Sequence, residues 1–542
     1  MCILCGDFSR RGVSWFDDGV SSDGLGAPAA ALGGDIEVVP TNTGDLASVG
    51  SGGSVTWAAA SDASVNAAAL PVYSFDQIAS YLTTEYWGGP VSHWRPGSTI
   101  TFNVQGLLPA AQSLARAAFA AWQGVTNLTF VNSTSTANIM LDDTQQGAFA
   151  TSNSVNGITT SAFVNVARNW SGESNPGLDS YTFQTFLHEI GHTLGLGHGG
   201  PYNGSAVYGM DNIYQNDTWG ATVMSYFSQE NYNGASMRFV ASPMLADIIA
   251  VQNIYGANMA TRSGDTVYGH NSNAGAPYNF ASFVMAPSYT IWDGGGSDTL
   301  DASGYAANQI INLAAESSSS IGGLSQNILI ARNTVIENAR GGSGNDTIVG
   351  NDAGNTLSGG RGADTLSGGA GIDTLGYHLD PAGGTARGIY VNLASNVAVD
   401  TGGAIDVLAG FESIVGTNNP YPGGYWSDFL YGDAGANVIA GLGGNDYFAG
   451  GLGIDYLVGG AGTDWFIMNG DIVAGGYDVI GDFNSGGTTD YLVIPLAQQA
   501  NTVFGNWGGY AYAYISLSGG NAYTILVSGI TGAQLQGHVF FS

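Results

Sequence analysis

The sequence lacks the residues on which nucleic-acid-binding and disulfide-stabilised proteins depend. Its 542 residues include no Lys, and 11 Arg stand against 42 acidic residues, for a formal net charge of −31. Phosphate binding needs clustered Lys and Arg, so this charge argues against a nucleic-acid or anionic-membrane surface. The two cysteines, Cys2 and Cys5, leave the remaining chain without a thiol for a disulfide. Because no apolar run of about 18 residues and no Sec-type leader occurs, we expect no membrane insertion.

Glycine and aspartate are abundant instead. The chain has 85 Gly but only 15 Pro, which excludes a collagen-like repeat. Of its 34 Asp, 19 fall between Asp293 and Asp490. Short carboxylates on glycine-rich turns supply the hard oxygen ligands that Ca²⁺ prefers. The composition therefore predicts cations as partners, and the 44% of hydrophobic residues is ample for folded cores.

The first half of the chain reads as a leader followed by an α/β domain. Residues 1–65 lack sustained periodicity and are interpreted as a leader or propeptide. Within residues 66–260, Ser74 is the predicted N-cap of a first helix, and a last helix is predicted from Pro243 to about Tyr255. Between them the pattern predicts helices over AAQSLARAAFAAWQGV and YTFQTFLHEIGHTLGLG, and strands over STITFNV, LTFVN, ANIMLDD and TSAFVNV. This mixture is typical of a layered α/β domain.

Nine-residue lines then recur in two blocks. The first block reads GGSGNDTIV, GNDAGNTLS, GGRGADTLS, GGAGIDTLG, and the second GDAGANVIA, GLGGNDYFA, GGLGIDYLV, GGAGTDWFI. Each line is predicted to form a glycine turn and a three-residue strand, and stacked lines would build a parallel β-roll with ions between successive turns. We assign residues 261–376 to the first block with its preceding linker, 377–467 to the second, and 468–542 to a β-rich tail.

A metal-binding motif lies on the helix before the repeats. His188 and His192 are one helical turn apart, so both imidazoles can reach one metal ion. Gly195 lets the chain leave the helix sharply and return His198 as a third ligand. Three imidazoles leave a tetrahedral Zn²⁺ with one open position for water, which is the arrangement of a catalytic site. Glu189 is placed to accept the proton of that water.

A second motif follows at Thr222-Val223-Met224-Ser225-Tyr226. An extended HExxHxxGxxH motif followed by a turn with Met is the metzincin arrangement, in which Met224 would form a hydrophobic floor without being a ligand. Together with the glycine-aspartate lines, the segment from about Tyr73 to Phe483 resembles the serralysin family of secreted bacterial metalloproteases with RTX calcium-binding repeats.

This resemblance implies an enzyme, its cofactors and its export. It implies a zinc endopeptidase of broad specificity in which Tyr226 approaches the zinc in the resting site and stabilises the oxyanion during hydrolysis. It further implies a zymogen secreted by a type I ABC exporter and active outside the cell on protein or peptide substrates, and we expect a monomer. An extended substrate would add to an edge strand, for which ANIMLDD and TSAFVNV are the candidates.

The calcium ligands are predicted from the repeat lines and, ahead of them, from the resemblance. The lines give the carboxylates and the turn glycines Asp346, Asp364, Asp373, Asp446, Asp455, Asp464, Gly342, Gly344, Gly360 and Gly362. Asn355 and Asn437 replace Asp in imperfect lines, which weakens the prediction of complete sites there. The family's linker calcium sites map onto Arg262, Gly264, Thr266, Asp293, Gly295, Gly296, Asp298 and Glu337.

The predicted fold class is therefore multi-domain α+β, with a metzincin α/β protease domain, a parallel β-roll and a β-rich tail. Two functions stay open. The first is the secreted zinc endopeptidase stabilised by calcium. The second is a surface-layer-associated or adhesin-like RTX protein whose protease domain is narrow or vestigial, an alternative that the two-copy repeat region motivates.

Overall fold

In a computed structural model, the described residues are 69–542 except 169, 171, 173–175, 380–386, 419–426, 469, 471 and 486–487, together with the backbone of residues 34–37. Apart from that backbone, the predicted leader with Cys2 and Cys5 lies outside the described residues. The chain divides into two compact units, Met1–Asn258 and Met259–Ser542. Within the described ranges, every helix is too short or too polar to cross a bilayer.

The first unit contains the predicted helices and strands and two strands that were not predicted, Gly34–Glu37 and Ala148–Val155. Its helices are α1 (Phe75–Ser80), which a π-helical turn (Tyr81–Glu85) extends, α2 (Pro109–Val125), α3 (Tyr181–Thr193) and α4 (Leu245–Tyr255). Its strands are β1 (Gly34–Glu37), β2 (Thr99–Gly106), β3 (Thr129–Asn132), β4 (Ile139–Asp142), β5 (Ala148–Val155) and β6 (Ile158–Val166). Ser74 caps α1 as predicted, since its Oγ accepts a hydrogen bond from Gln77 N at 3.2 Å.

The strand order corrects the prediction about the edge of this sheet. Among the described residues the order is β1-β5-β6-β4-β2-β3. ANIMLDD forms β4, between β6 and β2, and TSAFVNV lies in β6, between β5 and β4, so both candidates are interior and the prediction was wrong. Polar residues fill the second half of β5 and concealed it in the sequence. This strand runs antiparallel to β6 and covers its outer side.

Backbone pairing from the leader occupies the outer side of β5. Strand β1 runs antiparallel to β5, with Gly34 opposite Thr151 and Glu37 opposite Ala148. A segment that precedes the domain in the sequence therefore takes the place that an added peptide strand would take. In the same unit β5 packs against α3, the helix that carries the metal-binding motif.

The second unit is built almost wholly of short strands. They are β7 (Val267–Gly269), β8 (Tyr289–Ile291), β9 (Thr299–Asp301), β10 (Ile310–Asn312), β11 (Ser318–Ser319), β12 (Ile328–Ile330), β13 (Asn338–Arg340), β14 (Thr347–Val349), β15 (Thr356–Ser358), β16 (Thr365–Ser367), β17 (Thr374–Gly376), β18 (Tyr390–Asn392), β19 (Val397–Val399), β20 (Ile405–Ala409), β21 (Ser413–Val415), β22 (Phe429–Tyr431), β23 (Val438–Ala440), β24 (Tyr447–Ala449), β25 (Tyr456–Val458), β26 (Trp465–Ile467), β27 (Tyr477–Ile480), β28 (Tyr491–Ile494), β29 (Thr502–Trp507), β30 (Tyr510–Ser516), β31 (Ala522–Val527) and β32 (Val539–Phe541). A short helix, α5 (Gly532–Gln536), precedes β32. Three-residue 3₁₀ turns occur at Gln229–Asn231 in the first unit and, in the second, at Phe280–Ser282, Leu393–Ser395 and Ser518–Gly520, and a six-residue one at Leu496–Asn501.

Two long sheets run through both repeat blocks. Over the described residues one has the order β10-β14-β16-β20-β19-β18-β22-β24-β26-β28-β32, and the other β29-β30-β31-β27-β25-β23-β21-β17-β15-β13-β9-β7. Successive nonapeptide strands alternate between the two sheets, so each strand pairs in parallel with the strand 18 residues away, as Thr347 does with Thr365 and Tyr447 with Trp465. The predicted turn-and-strand unit and the parallel β-roll are confirmed.

The apolar residue of each line lies between the two sheets. These side chains are at most 1% exposed: Ile348, Leu357, Leu366, Leu375, Ile439, Phe448, Leu457 and Phe466. Burying one such side chain contributes about 1.5–3 kcal/mol relative to leaving it in water. A single apolar residue per line therefore builds a continuous core, and the turns are left to hold the acids. The predicted fold class, an α+β domain followed by a parallel β-roll, is confirmed.

Candidate metal centres

Helix α3 and the turn after it bring three histidines together. Ser180 caps the helix, its Oγ accepting from Phe183 N at 3.1 Å, and His188 and His192 lie one turn apart on it. Gly195 has φ of +99°, a conformation open to glycine at little cost, and the chain reverses there. All three ring ligand atoms of His188, His192 and His198 lie within 4.8 Å of one another, and all three residues are buried.

Backbone carbonyls fix the tautomer of each ring. The Nδ1 atoms of the three histidines lie 2.9 Å from Val223 O, 2.8 Å from Leu196 O and 2.8 Å from Tyr202 O, taken in chain order. A carbonyl only accepts, so each Nδ1 carries the proton and each Nε2 presents a lone pair. Burial, with the two neighbouring imidazoles, holds the pKa of His198 well below its usual value. The ring of His198 is thus held in the neutral form that binds a metal ion.

This donor set fits Zn²⁺ with one open position. Three buried imidazole nitrogens, each oriented by a carbonyl, match a catalytic zinc site rather than a structural one, which is closed by four protein ligands. Glu189 is 1% exposed and follows the first histidine on α3. Tyr226 is 7% exposed, and its hydroxyl lies 3.2 Å from His198 Nε2. The structure therefore places Tyr226 at the ligating side of the third histidine.

The turn with Met224 lies under this cluster. Met224 is fully buried, and its carbonyl accepts from Gly199 N at 3.2 Å, which joins the turn to the loop of the third histidine. Thr222 Oγ1 accepts from Met224 N at 3.0 Å and closes the turn. The buried position of Met224 agrees with its predicted role as the hydrophobic floor of the histidine cluster.

Two aromatic residues that the sequence analysis did not single out hold the third-histidine loop from the other side. Tyr86 OH lies 3.0 Å from His198 Nδ1, and Trp87 Nε1 donates to Gly195 O at 3.2 Å. Both follow the π-helical turn, more than 100 residues before the motif. No periodicity in the sequence connects such distant segments, and only the folded chain reveals the contact.

The predicted linker calcium residues come together in the second unit. A Cβ on Gly296 would lie 2.7 Å from the backbone of Gly264, so the loops at 262–266 and 293–298 are in contact. Asp298 Oδ1 accepts from Thr266 N at 2.8 Å, and Glu337 Oε2 accepts from Asp298 N at 2.7 Å. Burial, and then Asp293 and Glu337 nearby, raise the pKa of Asp298 to about 7. Oxygen ligands are thus gathered where a cation would relieve their repulsion.

The remaining linker residues hold these loops in shape. Asp293 accepts from Gly295 N at 2.6 Å and from Tyr268 OH at 2.5 Å. Arg262 donates through Nε to Tyr268 OH at 2.9 Å and through its guanidinium to Trp292 O. The side chain of Arg262 is thus directed into hydrogen bonds, so a ligand from this residue would be its carbonyl.

A ladder of carboxylates runs through the repeat turns. Apart from Asp346, whose Oδ1 accepts from Gln309 N, one oxygen of each predicted Asp accepts from the backbone N–H 18 residues earlier. Asp364 accepts in this way from Asp346 N at 2.7 Å, and Asp464 from Asp446 N at 2.9 Å. The same ladder includes Asp373 to Asn355 N, Asp446 to Asp428 N and Asp455 to Asn437 N. Five acids that the sequence analysis left out extend it at wider spacings: Asp406, Glu412, Asp428, Asp478 and Asp490.

The second oxygen of five of these carboxylates is buried without a hydrogen-bond donor among the described residues. These atoms are Oδ2 of Asp364, Asp373, Asp446, Asp455 and Asp464. Burial raises the pKa of Asp364, Asp455 and Asp464 to about 7. A bare buried carboxylate oxygen is costly, so each atom calls for a cation. The donor set of these turns fits Ca²⁺.

Turns 18 residues apart stack closely enough to share an ion. A Cβ on Gly360 would lie 2.1 Å from Gly342 O, and one on Gly362 would lie 2.1 Å from Gly344 O. Gly360 has φ of +90°, so both conformation and space demand glycine there. The predicted glycines thus form paired turns with their carbonyls between layers. In this first layer Asp346 differs from the other acids, since its Oδ2 accepts from Gly342 N at 2.6 Å.

The side chains of Asn355 and Asn437, in the two lines with Asn at the Asp position, form hydrogen bonds with backbone groups of the protein. Asn355 Oδ1 accepts from Asn351 N at 2.7 Å, and its Nδ2 donates to Glu337 O at 2.9 Å. Asn437 Oδ1 accepts from Asp433 N at 2.8 Å. An amide supplies a donor as well as an acceptor, so these turns close without the bare oxygen of the Asp lines.

Family models match most of the chain in three pieces. Residues 90–256 match the metallo-peptidase family M12B reprolysin-like model, residues 257–413 the peptidase M10 serralysin C-terminal model, and residues 423–457 and 441–467 the RTX calcium-binding nonapeptide repeat.

Relatives of known name are similar over part of their length. The metallopeptidase AprA of Pseudomonas marginalis is 41% identical over 45% of this chain and 55% of its own length. Serralysin C of Dickeya chrysanthemi is 39% identical over 51% of this chain and 64% of its own length. The chain therefore matches less than two thirds of either relative. Together, the three models show that the chain combines a metallopeptidase domain, a serralysin C-terminal region and RTX calcium-binding repeats, and the structure adds the buried cluster of three histidines.

Proposed function

We propose that this protein is a zinc-dependent endopeptidase that hydrolyses peptide bonds of proteins outside the cell. The observation that carries the proposal is the buried cluster of three imidazoles beside Glu189 and Tyr226. A zinc ion bound there supplies a Lewis acid and lowers the pKa of a bound water to about 7.

The residues of the chain then divide the proton transfers and the stabilisation of charge. Glu189 accepts the proton of the attacking water and returns it to the leaving amine. Tyr226, whose hydroxyl lies 3.2 Å from His198 Nε2, donates a hydrogen bond to the oxyanion that develops on the scissile carbonyl. Met224 and the backbone carbonyls keep the three imidazoles in place and take no part in bond making.

Calcium has a structural role in this proposal. Ions between the stacked turns neutralise the bare carboxylate oxygens and stabilise the second unit by their binding free energy. Where calcium is scarce the repeats stay unfolded, which suits export by a type I ABC exporter, and millimolar extracellular Ca²⁺ then folds them. The mature enzyme acts as a monomer on extended peptides.

The leader keeps the enzyme latent. Strand β1 pairs antiparallel with β5, the outer strand beside α3, where an extended substrate would add its own backbone. Removing the leader frees that edge. We expect full-length protein to cleave a peptide substrate more slowly than protein beginning near residue 66, with equal zinc content in both.

Casein hydrolysis under selective removal of zinc tests the proposed activity. In buffer with millimolar Ca²⁺, 1,10-phenanthroline should abolish release of peptides and added Zn²⁺ should restore it. Glu189→Ala should bind zinc normally and lose nearly all activity, because the proton acceptor is gone. Normal caseinolysis by Glu189→Ala would contradict the mechanism, and a zinc-loaded wild type that cleaves no protein would favour the surface-layer or adhesin-like alternative.

A further inference from the structure

Two buried acids outside the proposed chemistry lie beside the three histidines. Asp217 and Asp247 are both 0% exposed. Each holds a residue whose main-chain carbonyl accepts from a ligand histidine. Burying a carboxylate is costly unless its hydrogen bonds compensate. Because the chain buries two carboxylates around one site at this cost in free energy, we expect Asp217 and Asp247 to have a role at that site.

Asp247 fixes the peptide that orients His188. Its Oδ2 accepts from Val223 N and Met244 N, both at 2.8 Å, and its Oδ1 accepts from Thr222 Oγ1 at 2.5 Å. The carbonyl of Val223 then accepts from His188 Nδ1 at 2.9 Å. One carboxylate thus joins the start of α4 to the turn under the metal cluster.

Asp217 does the same for His198. Its two oxygens accept from Tyr202 OH at 2.9 and 3.1 Å, and the carbonyl of Tyr202 accepts from His198 Nδ1 at 2.8 Å. The Tyr202 ring also packs against Tyr226, with ring centroids 4.7 Å apart. The position of Tyr202 therefore affects both the third ligand and the oxyanion donor.

The middle histidine is held in a different way. His192 Nδ1 donates to Leu196 O, four residues along the same chain, and Leu196 N in turn donates to Gly191 O at 3.1 Å. The end of α3 orients this ring by itself. Among the described residues, a buried acid lies behind the carbonyl-bearing residues Val223 and Tyr202, and none lies behind Leu196.

We propose that Asp217 and Asp247 are positioning residues of the zinc site, each acting through a main-chain carbonyl on the orientation of His198 and His188. The inference rests on the zinc site of the proposed function but not on peptide hydrolysis. Partners behind metal-ligating histidines typically change metal affinity or activity by 10–100-fold when removed.

Zinc affinity separates positioning from general stability. Asp217→Asn and Asp247→Asn should weaken zinc binding about 10–100-fold in a competition titration with a chromogenic chelator in millimolar Ca²⁺. The cobalt-substituted variants should show altered visible absorption bands, because the ligand geometry changes. Should either Asn variant fail to fold, Tyr202→Phe and Thr222→Val each remove one hydroxyl donor and leave the carboxylate in place, with a smaller loss of affinity in the same direction.

Asp143→Asn is the matched control. Asp143 is a buried acid of the same unit that accepts from Leu108 N at 2.7 Å and from Arg168, away from the three histidines. It should lower the melting temperature and leave zinc affinity within about twofold. Unchanged zinc affinity and cobalt spectra in folded Asp217→Asn and Asp247→Asn would overturn the proposal. If wild type and variants show the expected zinc differences but no casein is cleaved, only the proposed function fails.

A second, independent observation concerns a cavity in the other unit. A cavity of about 910 Å³ opens on the outer face of the terminal strands β27 and β29–β31, within the size range of ligand pockets. Its lining contains no charged residue although the chain carries 42 acids: Gly475, Gly476, Tyr477, Val503, Asn506, Trp507, Tyr512, Tyr514, Ser516, Ala522, Thr524 and Leu526.

Strand alternation leaves the aromatic rings of this cavity facing outward. Along β30, Tyr512 and Tyr514 alternate with buried Ala511, Ala513 and Ile515. Tyr514 lies opposite Thr524 on the neighbouring strand. Trp507 is 70% exposed. The four aromatic side chains of the lining, which are Tyr477, Trp507, Tyr512 and Tyr514, stand beside hydroxyl and amide groups and form a neutral amphipathic platform.

We infer that this cavity binds a neutral oligosaccharide. The faces of sugar rings carry C–H groups that pack on aromatic rings, and their hydroxyls exchange hydrogen bonds with Tyr, Thr, Ser and Asn. A charged glycan gains nothing from a lining without Arg or Lys in a chain of net charge −31.

Titration of the calcium-loaded full chain with cellohexaose, laminarihexaose and maltohexaose tests this inference. At least one should bind by calorimetry and change tryptophan fluorescence, and Trp507→Ala should weaken that binding at least about tenfold. Phe540→Ala removes a half-exposed ring from the other sheet and should leave binding within twofold. Absence of binding by all three, equal binding by Trp507→Ala, or Trp507-dependent binding of the apolar dye ANS without glycan binding would each overturn the inference.

Discussion

The two units treat their metal-binding atoms in opposite ways. In the first unit every zinc-facing imidazole has its other nitrogen fixed by a carbonyl, and two of these carbonyls are held in turn through a buried acid. In the second unit each acid has one oxygen in the ladder, and five acids leave the other oxygen bare. Protein groups therefore orient the ligands of the first site, whereas the carboxylates of the repeats present oxygens that a cation would satisfy. Metal for chemistry and metal for folding thus leave different marks in a structure.

Removal of calcium should give the largest contrast. With calcium chelated and zinc resupplied, we expect the second unit to lose its strand signal in circular dichroism, because buried bare carboxylates repel and no ion compensates them. The first unit should still bind one zinc ion. Chelator with excess Ca²⁺ is the control, and a β-roll that keeps its full signal without Ca²⁺ would remove the distinction between the units.

Loss of one hydroxyl should affect chemistry alone. Tyr226→Phe should lower kcat about 10²-fold, the usual cost of one oxyanion donor, with little change in KM or zinc content. The melting temperature should stay close to that of wild type, because the substitution changes none of the carboxylate hydrogen bonds in the second unit. An equal fall in zinc affinity would show that Tyr226 acts on the metal site rather than on the oxyanion.

Substitutions at the Asp and Asn positions of single repeat lines should have a smaller effect, and it should fall on the calcium dependence of folding. Asp464→Asn places an amide where one oxygen now lacks a donor, and it should raise the Ca²⁺ concentration needed for folding several-fold by loss of one carboxylate ligand. Asn355→Ala should leave the calcium stoichiometry unchanged and cost about 1–2 kcal/mol in free energy of unfolding through lost hydrogen bonds. Equal calcium dependence in both variants would make the two kinds of line equivalent.

The pH dependence of the calcium-free protein should be the mildest effect. The pKa of Asp364, Asp455 and Asp464 is raised by burial to about 7, so between about pH 4 and pH 7 the folded unit binds more protons than the unfolded chain. Without Ca²⁺ its stability therefore falls as pH rises through that range. The urea midpoint of the second unit should be higher at pH 5 than at pH 8 in chelator, and the reverse order would contradict the burial of these acids.

Much of this structure could be predicted from the sequence because the pattern was local. The nine-residue repeat determines the position of the turn, the strand and the buried apolar residue of each line. His188, His192 and His198 lie within eleven residues of sequence. What escaped the sequence analysis depends on distant contacts. Asp217, Asp247 and Tyr86 reach the zinc site only through folding, and β5 lacks the alternation that marks a half-buried strand.

The ladder also has a direction. Each carboxylate of the ladder lies 18 to 42 residues after the peptide group it holds, so the acceptor belongs to the later part of the chain. A layer that orders from the C-terminal side therefore presents carboxylate acceptors to the next layer, and a layer that orders from the N-terminal side presents N–H donors. The two ends of the β-roll thus offer chemically different surfaces to the layer that docks on them.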